Sequence, residues 1–142
     1  MTIARIIEGR DRTIVSCSPR QSVREAATLL AEHRIGALPV LDGEKVAGIF
    51  SERDLLYCVA KEGESTLNRA VAEVMTSPAI TIEPEAEVLK ALGLMTRRRI
   101  RHLPVLQGDR LVGFLSIGDL VKYRMDRIEA EASQMREYIT TA

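Results

Sequence analysis

The chain contains an internal repeat, and this repeat constrains the fold more than any other feature of the sequence. Residues 15–57 recur as residues 80–122 at a constant offset of 65, with no insertion or deletion. The matches fall at turns, at apolar alternations and in one short polar motif, and include the pairs Pro39/Pro104, Gly48/Gly113, Ser51/Ser116 and Asp54/Asp119. Such a duplication predicts two copies of one supersecondary unit, each too small to bury its apolar faces alone. A site in one copy should therefore have a counterpart in the other.

The composition is typical of a globular protein with an aliphatic core. Of the 142 residues 46% are hydrophobic, 28% are charged and only 4% are aromatic, and the formal net charge is zero. Zero net charge gives no general attraction to nucleic acid or to an anionic membrane. No apolar run approaches the ~20 residues that span a bilayer, and the N-terminus does not resemble a signal peptide. We therefore expect a soluble, cytoplasmic protein in which Cys17 and Cys58 are reduced thiols.

Each copy has the pattern β-α-β-β-α. The elements predicted for the first copy are a strand over 13–17, a helix over 23–34, strands over 37–41 and 46–50, and a helix starting at Ser51. Ser22 followed by Glu25 is typical of a capping box, and Asp42-Gly43 predicts a hairpin turn. The elements predicted for the second copy are a strand over 79–82, a helix over 87–98, strands over 102–106 and 111–115, and a helix from Ile117.

Two segments have no counterpart within the repeat. Residues 61–65 read as a polar linker, after which Thr66 is predicted to cap a short helix that ends before Ser77-Pro78. The last helix continues well beyond its counterpart, and four of its apolar residues share one face: Ile128, Ala132, Met135 and Ile139. We expect this seam to pack on a second subunit, which predicts a homodimer.

The two copies resemble the cystathionine-β-synthase (CBS) domain family, whose domains occur as tandem pairs called Bateman modules. The resemblance depends on Leu-Pro-Val at 38–40 and 103–105, Gly-Ile-Phe-Ser-Glu-Arg-Asp at 48–54 and Gly-Phe-Leu-Ser-Ile-Gly-Asp at 113–119. It implies an α/β (α+β) fold in which two β-α-β-β-α repeats pack about a pseudo-two-fold axis. It assigns residues 8–66 to CBS domain 1, 74–130 to CBS domain 2 and 131–142 to a C-terminal helix extension. The chain also resembles the stand-alone bacterial subgroup, which has no attached enzyme or transporter domain.

The repeated Ser-x-x-Asp motif has two interpretations. A serine at a helix N-terminus with an aspartate three residues on is an ordinary capping motif. The same N-terminus offers unpaired N–H groups to a phosphate, while the aspartate suits the two hydroxyls of a ribose. Because family members use this aspartate to hold the ribose of adenine nucleotides, the resemblance makes Ser51 and Asp54, and likewise Ser116 and Asp119, candidate ligand contacts.

The remaining candidate contacts come from the resemblance as well. In related CBS pairs basic residues before the second strand reach the phosphates, which implies that role for Arg101 and His102, with Arg53 supplying charge to the first cleft. We expect Arg101 and Asp119 to act on one ligand, and both clefts to bind. Adenine would contact backbone around Val15–Cys17 and Ile80–Ile82, between apolar walls and beside two threonines; the residues concerned are Ser16, Cys17, Thr81, Ile82, Ile35, Pro39, Ile100, Pro104 and Thr76.

The resulting expectation is a non-catalytic sensor that binds adenine nucleotides, AMP first, with ATP, ADP or NAD(H) in either cleft, and that signals to an unknown downstream protein. No metal is required, since His33, His102 and the two cysteines lack metal-ligand spacing. Three alternatives remain open at this point. One is an interaction module with vestigial clefts, one is an S-adenosylmethionine sensor, and one is a nucleic-acid binder using residues 97–102. Zero net charge argues against the last.

Overall fold

The protein folds into two small antiparallel sheets, each packed against helices, with a long helix at the C-terminal end. The computed structural model describes residues 1–10 and 13–141. Its regular elements are α1 (Ile3–Glu8), α2 (Val23–His33), β1 (Ala37–Asp42), β2 (Lys45–Ser51), α3 (Glu52–Glu62), a 3₁₀ helix (Gly63–Asn68), α4 (Val71–Val74), α5 (Val88–Arg98), β3 (His102–Gln107), β4 (Arg110–Ser116) and α6 (Ile117–Thr141). The predicted α/β class and most of the helices and strands are confirmed.

Each sheet is a single hairpin, and the two hairpins have the same register. Val40 lies opposite Gly48 in the β1–β2 pair, and Val105 lies opposite Gly113 in the β3–β4 pair; the register shifts immediately after each valine. Gly43 and Gly108 close the two turns with positive φ angles of 65° and 63°, a conformation that favours glycine. The duplication therefore extends to the irregularities of the ladder.

The strands predicted over residues 13–17 and 79–82 do not form. Each segment touches its neighbouring strand at one residue only, through parallel bridges from Cys17 to Val40 and from Ile82 to Val105. If the parallel ladder continued one step toward the N-terminus, its next hydrogen bond would need a backbone N–H donor at residue 39 in the first copy and at residue 104 in the second. Both positions are proline, which has no N–H, so the ladder stops. The Leu-Pro-Val motif thus limits each sheet to two strands and a single bridge.

The helix that precedes each repeat packs on the other repeat. Helix α1 lies before the first copy, yet the N–H groups of Ile3 and Ala4 donate to the carbonyls of Ala86 and Pro84, at 2.9 and 2.8 Å. Helix α4 makes the equivalent bonds to the first copy: the N–H groups of Val71 and Ala72 donate to Gln21 and Pro19, at 2.8 and 3.0 Å. Helices α1 and α4 are therefore equivalent at an offset of 68 residues, three more than the offset of the repeat. Because of this difference, the offset of 65 does not reveal α1.

The apolar residues form two cores, each completed by a helix from the other side. Val71 and Val74 of α4 join the core of the first copy around Leu38 and Phe50. Ile3 and Ile6 of α1 join the core of the second copy, which contains Leu103, Leu115 and Leu120. Because each half lends a helix to the other, neither half could keep its core if the two were separated.

Thr66 does not cap a helix, contrary to the sequence prediction. It lies fully buried in the 3₁₀ helix, where its hydroxyl donates to the carbonyl of Cys58 at 3.0 Å. The N-cap of α4 is instead Ala70, which has no side-chain hydrogen bond. The buried threonine thus joins the end of α3 to the linker.

We predict that Gly48→Ala is more destabilising than Gly113→Ala. A Cβ at Gly48 would lie 2.6 Å from the carbonyl oxygen of Thr76, which accepts a hydrogen bond from Ile49 N–H at 2.9 Å and cannot move freely. A Cβ at Gly113 would meet the Cδ1 atom of Ile7 at 2.8 Å, at the flexible end of a side chain. Urea denaturation should show a loss of about 1–3 kcal/mol for Gly48→Ala and a smaller loss for Gly113→Ala. Equal losses would contradict this account.

Candidate functional site

A serine and an aspartate cap the helix that follows each hairpin. At the start of α3 the N–H of Asp54 donates to Ser51 Oγ at 3.2 Å, and the N–H of Ser51 donates back to Asp54 Oδ2 at 2.9 Å. At the start of α6 the same two bonds join Ser116 and Asp119, at 3.1 and 2.8 Å. The capping interpretation of Ser-x-x-Asp is therefore correct at both positions, and each carboxylate keeps its second oxygen for another partner.

The second carboxylate oxygen has a different partner in each copy. The hydroxyl of Thr76 donates to Asp54 Oδ1 at 3.0 Å, whereas the guanidinium of Arg10 forms an ion pair with Asp119 Oδ1. Burial alone would raise the pKa of Asp119, but the hydrogen bonds from Arg10 and Ser116 outweigh it and hold the pKa below its ordinary value. Asp119 is consequently an ionised acceptor at neutral pH.

The two carboxylates lie in two separate clefts. The larger, which we call the Asp119 cleft, has a volume of about 430 Å³ and is lined by Ile7, Arg10, Thr13, Ile14, Val15, Arg34, Ile35, Gly36, Ala37, His102, Val112, Gly113, Phe114, Leu115, Ser116 and Asp119. The smaller, which we call the Asp54 cleft, has a volume of about 170 Å³ and is lined by Gly36, Ile49, Ser51, Glu52, Arg53, Asp54, Thr76, Pro78, Ala79, Ile80, Arg99, Ile100, Arg101 and His102.

The two clefts are related by the repeat, and each draws on both halves of the chain. The Asp119 cleft takes its serine and aspartate from the second copy but residues 13–15 and 34–37 from the first. The Asp54 cleft takes the matching residues 78–80 and 99–102 from the second copy. The expectation that Arg101 and Asp119 act on one ligand is therefore wrong, because Arg101 lies in the cleft of Asp54.

Half of the remaining sequence candidates line the clefts and half do not. Arg53, Thr76, Ile100 and Arg101 lie in the Asp54 cleft, Ile35 lies in the Asp119 cleft, and His102 lines both. Within the described part of the chain, the residues lining the clefts do not include Ser16, Cys17, Pro39, Thr81, Ile82 or Pro104. The backbone that faces each cleft begins upstream of the expected segments, since Cys17 and Ile82 are drawn into the cores by their bridges to β1 and β3. Burial raises the pKa of the Cys17 thiol to about 11, so that it remains protonated.

Three arginines that line the clefts were not among the site residues predicted from the sequence. Arg34 and Arg99 end helices α2 and α5 in the left-handed conformation, with φ angles of 53° and 55°, and each lines one cleft. They occupy equivalent positions of the repeat, so the repeat itself could have identified them. Arg10 lies before the repeat and carries no signal of this kind.

His102 forms part of the wall between the two clefts. Its ring stacks on that of Phe114, with centroids 5.6 Å apart and planes 10° apart. Burial lowers the pKa of His102, and the charge of Arg101 lowers it further, against the opposing effect of Asp119 and Glu52. The imidazole is therefore neutral near pH 7 and can meet a ligand as a hydrogen-bonding group rather than as a cation.

Two features are absent from residues 1–10 and 13–141, the part of the chain that the structure describes. No helix in this part of the chain is both long and apolar enough to cross a membrane. Nor do three or more histidine, cysteine, aspartate or glutamate side chains gather there in a way that could hold a metal ion.

Comparison with known proteins agrees with this architecture. The model of the CBS domain family matches residues 10–61 and 71–126. The mitochondrial CBS domain-containing protein CBSX3 of Arabidopsis thaliana is 35% identical over 128 residues, which are 87% of this chain and 62% of that protein, so the chain spans less than two thirds of this relative. A solved CBS-domain protein of Burkholderia ambifaria is 40% identical, with a TM-score of 0.84 over 89% of this chain and 95% of that one.

A more distant likeness concerns the fold alone. The solved CBS domain pair of protein MJ0100, in complex with 5′-methylthioadenosine and S-adenosyl-L-methionine, is 23% identical, with a TM-score of 0.78 over 89% of this chain and 98% of that one. Taken with the two family matches and the paired clefts, these findings establish that the chain belongs to the CBS domain family and carries a tandem pair of its domains.

Proposed function

We propose that the protein is a non-catalytic sensor that binds an adenine nucleotide, with AMP in the Asp54 cleft. This proposal is based on one observation: Ser51 and Asp54, at the N-terminus of α3, line the same cleft as arginines from the other half of the chain. Arg99 and Arg101 come from the second copy and Arg53 from the first, so three arginines line one small cleft. CBS-domain pairs are regulatory modules, and a binding role fits them.

Each part of AMP has a matching group in the Asp54 cleft. Asp54 Oδ1 lies beside the neutral hydroxyl of Thr76, so a ribose hydroxyl can replace or join that donor at little electrostatic cost. The first turn of α3 and the arginines attract the phosphate. Ile49, Ile80 and Ile100 offer apolar surface to the base. The complex of MJ0100 supports the ligand class, because both of its named ligands contain adenosine.

The Asp119 cleft should bind differently. Its carboxylate is already paired with Arg10, and a ribose would have to compete with a charge-assisted bond. Its volume of about 430 Å³ is also more than twice that of the Asp54 cleft, at about 170 Å³. We therefore assign the larger ligands, ATP, ADP or NAD(H), to this cleft, where Arg10 and Arg34 would meet the phosphates.

The direct test of the ligand class is mass spectrometry of small molecules released when the purified protein is denatured. Recovery of an adenine nucleotide in amounts comparable to the protein supports the proposal. Recovery of S-adenosylmethionine would assign the clefts to that ligand instead. Protein that carries nothing and shows no heat on titration with AMP, ATP or NAD(H) would favour the interaction module.

We predict that Asp54→Asn weakens AMP binding about ten- to hundred-fold, since a hydrogen bond to a charged group contributes roughly 1.5–3 kcal/mol. Asparagine keeps an oxygen that can accept from Ser51 N–H, so α3 should remain capped. Isothermal titration calorimetry gives the affinity. Asp109→Asn, on the exposed β3–β4 turn, is the matched control, and Asp119→Asn should leave the AMP site largely intact. A normal AMP affinity in folded Asp54→Asn protein would remove Asp54 from the site.

Arg101→Ala should weaken AMP binding while leaving adenosine binding nearly unchanged, because the guanidinium acts on the phosphate and not on the sugar. Arg98→Ala removes an exposed arginine of α5 that does not line either cleft and serves as the control. The measurement is the ratio of AMP to adenosine affinity in each variant. Equal losses for both ligands would mean that Arg101 supports the shape of the cleft and does not bind phosphate.

The lowered pKa of His102 predicts that acid destabilises the fold. The unfolded chain, in which this imidazole has its ordinary pKa of about 6.5, binds the proton more readily than the folded one. The contribution to the free energy of unfolding is therefore complete above about pH 6.5 and is lost as the pH falls through the lower folded pKa. Urea denaturation between pH 7.5 and 5 should show a smaller loss for His102→Gln than for the wild type. His33→Gln, on the exposed end of α2, is the control, and an unchanged slope in His102→Gln would contradict the prediction.

A further inference from the structure

The apolar seam of helix α6 is longer than the four residues predicted from the sequence. Six apolar residues follow one another at spacings of 4, 3, 4, 3 and 4, which is the heptad repeat of a coiled coil. Met125, Ala132 and Ile139 take position a, and Val121, Ile128 and Met135 take position d. All six are exposed, and the five larger side chains have exposures from 42% at Val121 to 66% at Ile139.

The seam faces away from the body of its own chain. The residues by which α6 joins the core are Ile117 at its start, Leu120, which is fully buried, and Tyr123, which packs against the same cluster. Leu120 and Tyr123 occupy positions c and f. At 3.6 residues per turn, the middle of c and f lies about 160° around the helix from the middle of a and d. The core that anchors α6 therefore cannot also cover the seam.

The charges beside the seam are complementary to those of a second copy. Position g holds Arg124 and Glu131, and position e holds Glu129 and Arg136. In a parallel, in-register pair of helices, each g residue meets the e residue five positions further along the other chain. Arg124 then meets Glu129 of the second copy, and Glu131 meets Arg136. All four contacts are between opposite charges.

We propose that α6 forms a parallel, in-register, two-stranded coiled coil with α6 of a second copy of this chain. The inference specifies the orientation and register of the homodimer, which the sequence had left open, and it does not depend on what the clefts bind. The seam covers fewer than three heptads and includes methionines and an alanine, so the dimer should dissociate on dilution.

Two charge-reversal variants test the proposal. In the e-reversed variant, Glu129→Lys is combined with Arg136→Glu. In the g-reversed variant, Arg124→Glu is combined with Glu131→Lys. Either one makes all four contacts repulsive in its own homodimer, and we expect the dissociation constant to rise about tenfold or more by analytical ultracentrifugation. Mixed together, the two variants regain opposite charges at every contact and should form a heterodimer of wild-type affinity.

The possible results separate the proposal from its rivals. In an antiparallel dimer g faces g′ and e faces e′, so each variant would keep its homodimer and mixing would gain nothing. A wild-type chain that stays monomeric at every concentration would overturn the proposal in favour of a foreign helix as the occupant. Dimers of undiminished strength in both variants would place the contact elsewhere. Circular dichroism of each variant checks that α6 stays helical, since Glu131 also pairs with Arg127 within the helix.

Cross-linking gives an independent measurement of register. Met135→Cys in a Cys58→Ser background places one exposed thiol at a d position, while Cys17 stays buried. A parallel, in-register dimer places the two new thiols within the distance that a disulfide spans. Oxidation should therefore give a covalent dimer. Thr141→Cys near the end of α6, beyond the seam, is the control for random collision. Cross-linking no faster at residue 135 than at residue 141 would contradict the proposed register.

Discussion

The N–H groups in the first turn of a helix must find acceptors, and the way in which α3 and α6 meet this need determines the rest of the site. A serine and an aspartate form the cap at both junctions, so each carboxylate uses Oδ2 for its own helix and directs Oδ1 elsewhere. The cap and the proposed binding group are thus one structure. The two interpretations of Ser-x-x-Asp do not exclude each other, because a fixed cap is what holds the second oxygen of Asp54 and Asp119 in the cleft.

Most of the fold could be predicted from the sequence, since it depends on local signals that occur twice. The hairpins, most of the helices and the capping boxes follow from residues close together in the chain. Two of the failures have non-local causes. The first strand of each copy is cut to one bridge by a proline on its partner strand, and α1 and α4 pack on the half that they do not belong to. The same crossing explains why the site was only partly predicted. An alignment of the two copies pairs equivalent residues with each other. Each cleft instead combines the serine and aspartate of one copy with arginines of the other, and such an alignment does not show this combination.

The crossing also makes the two clefts neighbours. Gly36 and His102 line both of them, and a Cβ at Gly36 would meet Glu52 at 3.3 Å and His102 at 3.7 Å. A ligand that moves the ring of His102 in one cleft would therefore change the wall of the other. Such a shared wall gives a physical route for coupling between ligands, and any coupling must be equal in both directions. Asp54 has a neutral hydroxyl as its partner and Asp119 has a guanidinium, so the two clefts should favour different ligands although both are lined by His102.

Helix α6 extends this argument from the clefts to the surface. Its first turn holds Asp119, which lines the larger cleft, and the same uninterrupted helix carries the apolar seam as far as Ile139, about 30 Å away at 1.5 Å per residue. A helix transmits a change of tilt along its length better than a loop would. If occupancy of the Asp119 cleft favours one orientation of the first turn, the far end of α6 must follow, and the stability of a short coiled coil is sensitive to the angle at which its two helices meet. The proposed dimer contact lies on a helical extension of the proposed binding site, which is the arrangement required for a ligand to control assembly without any chemical reaction.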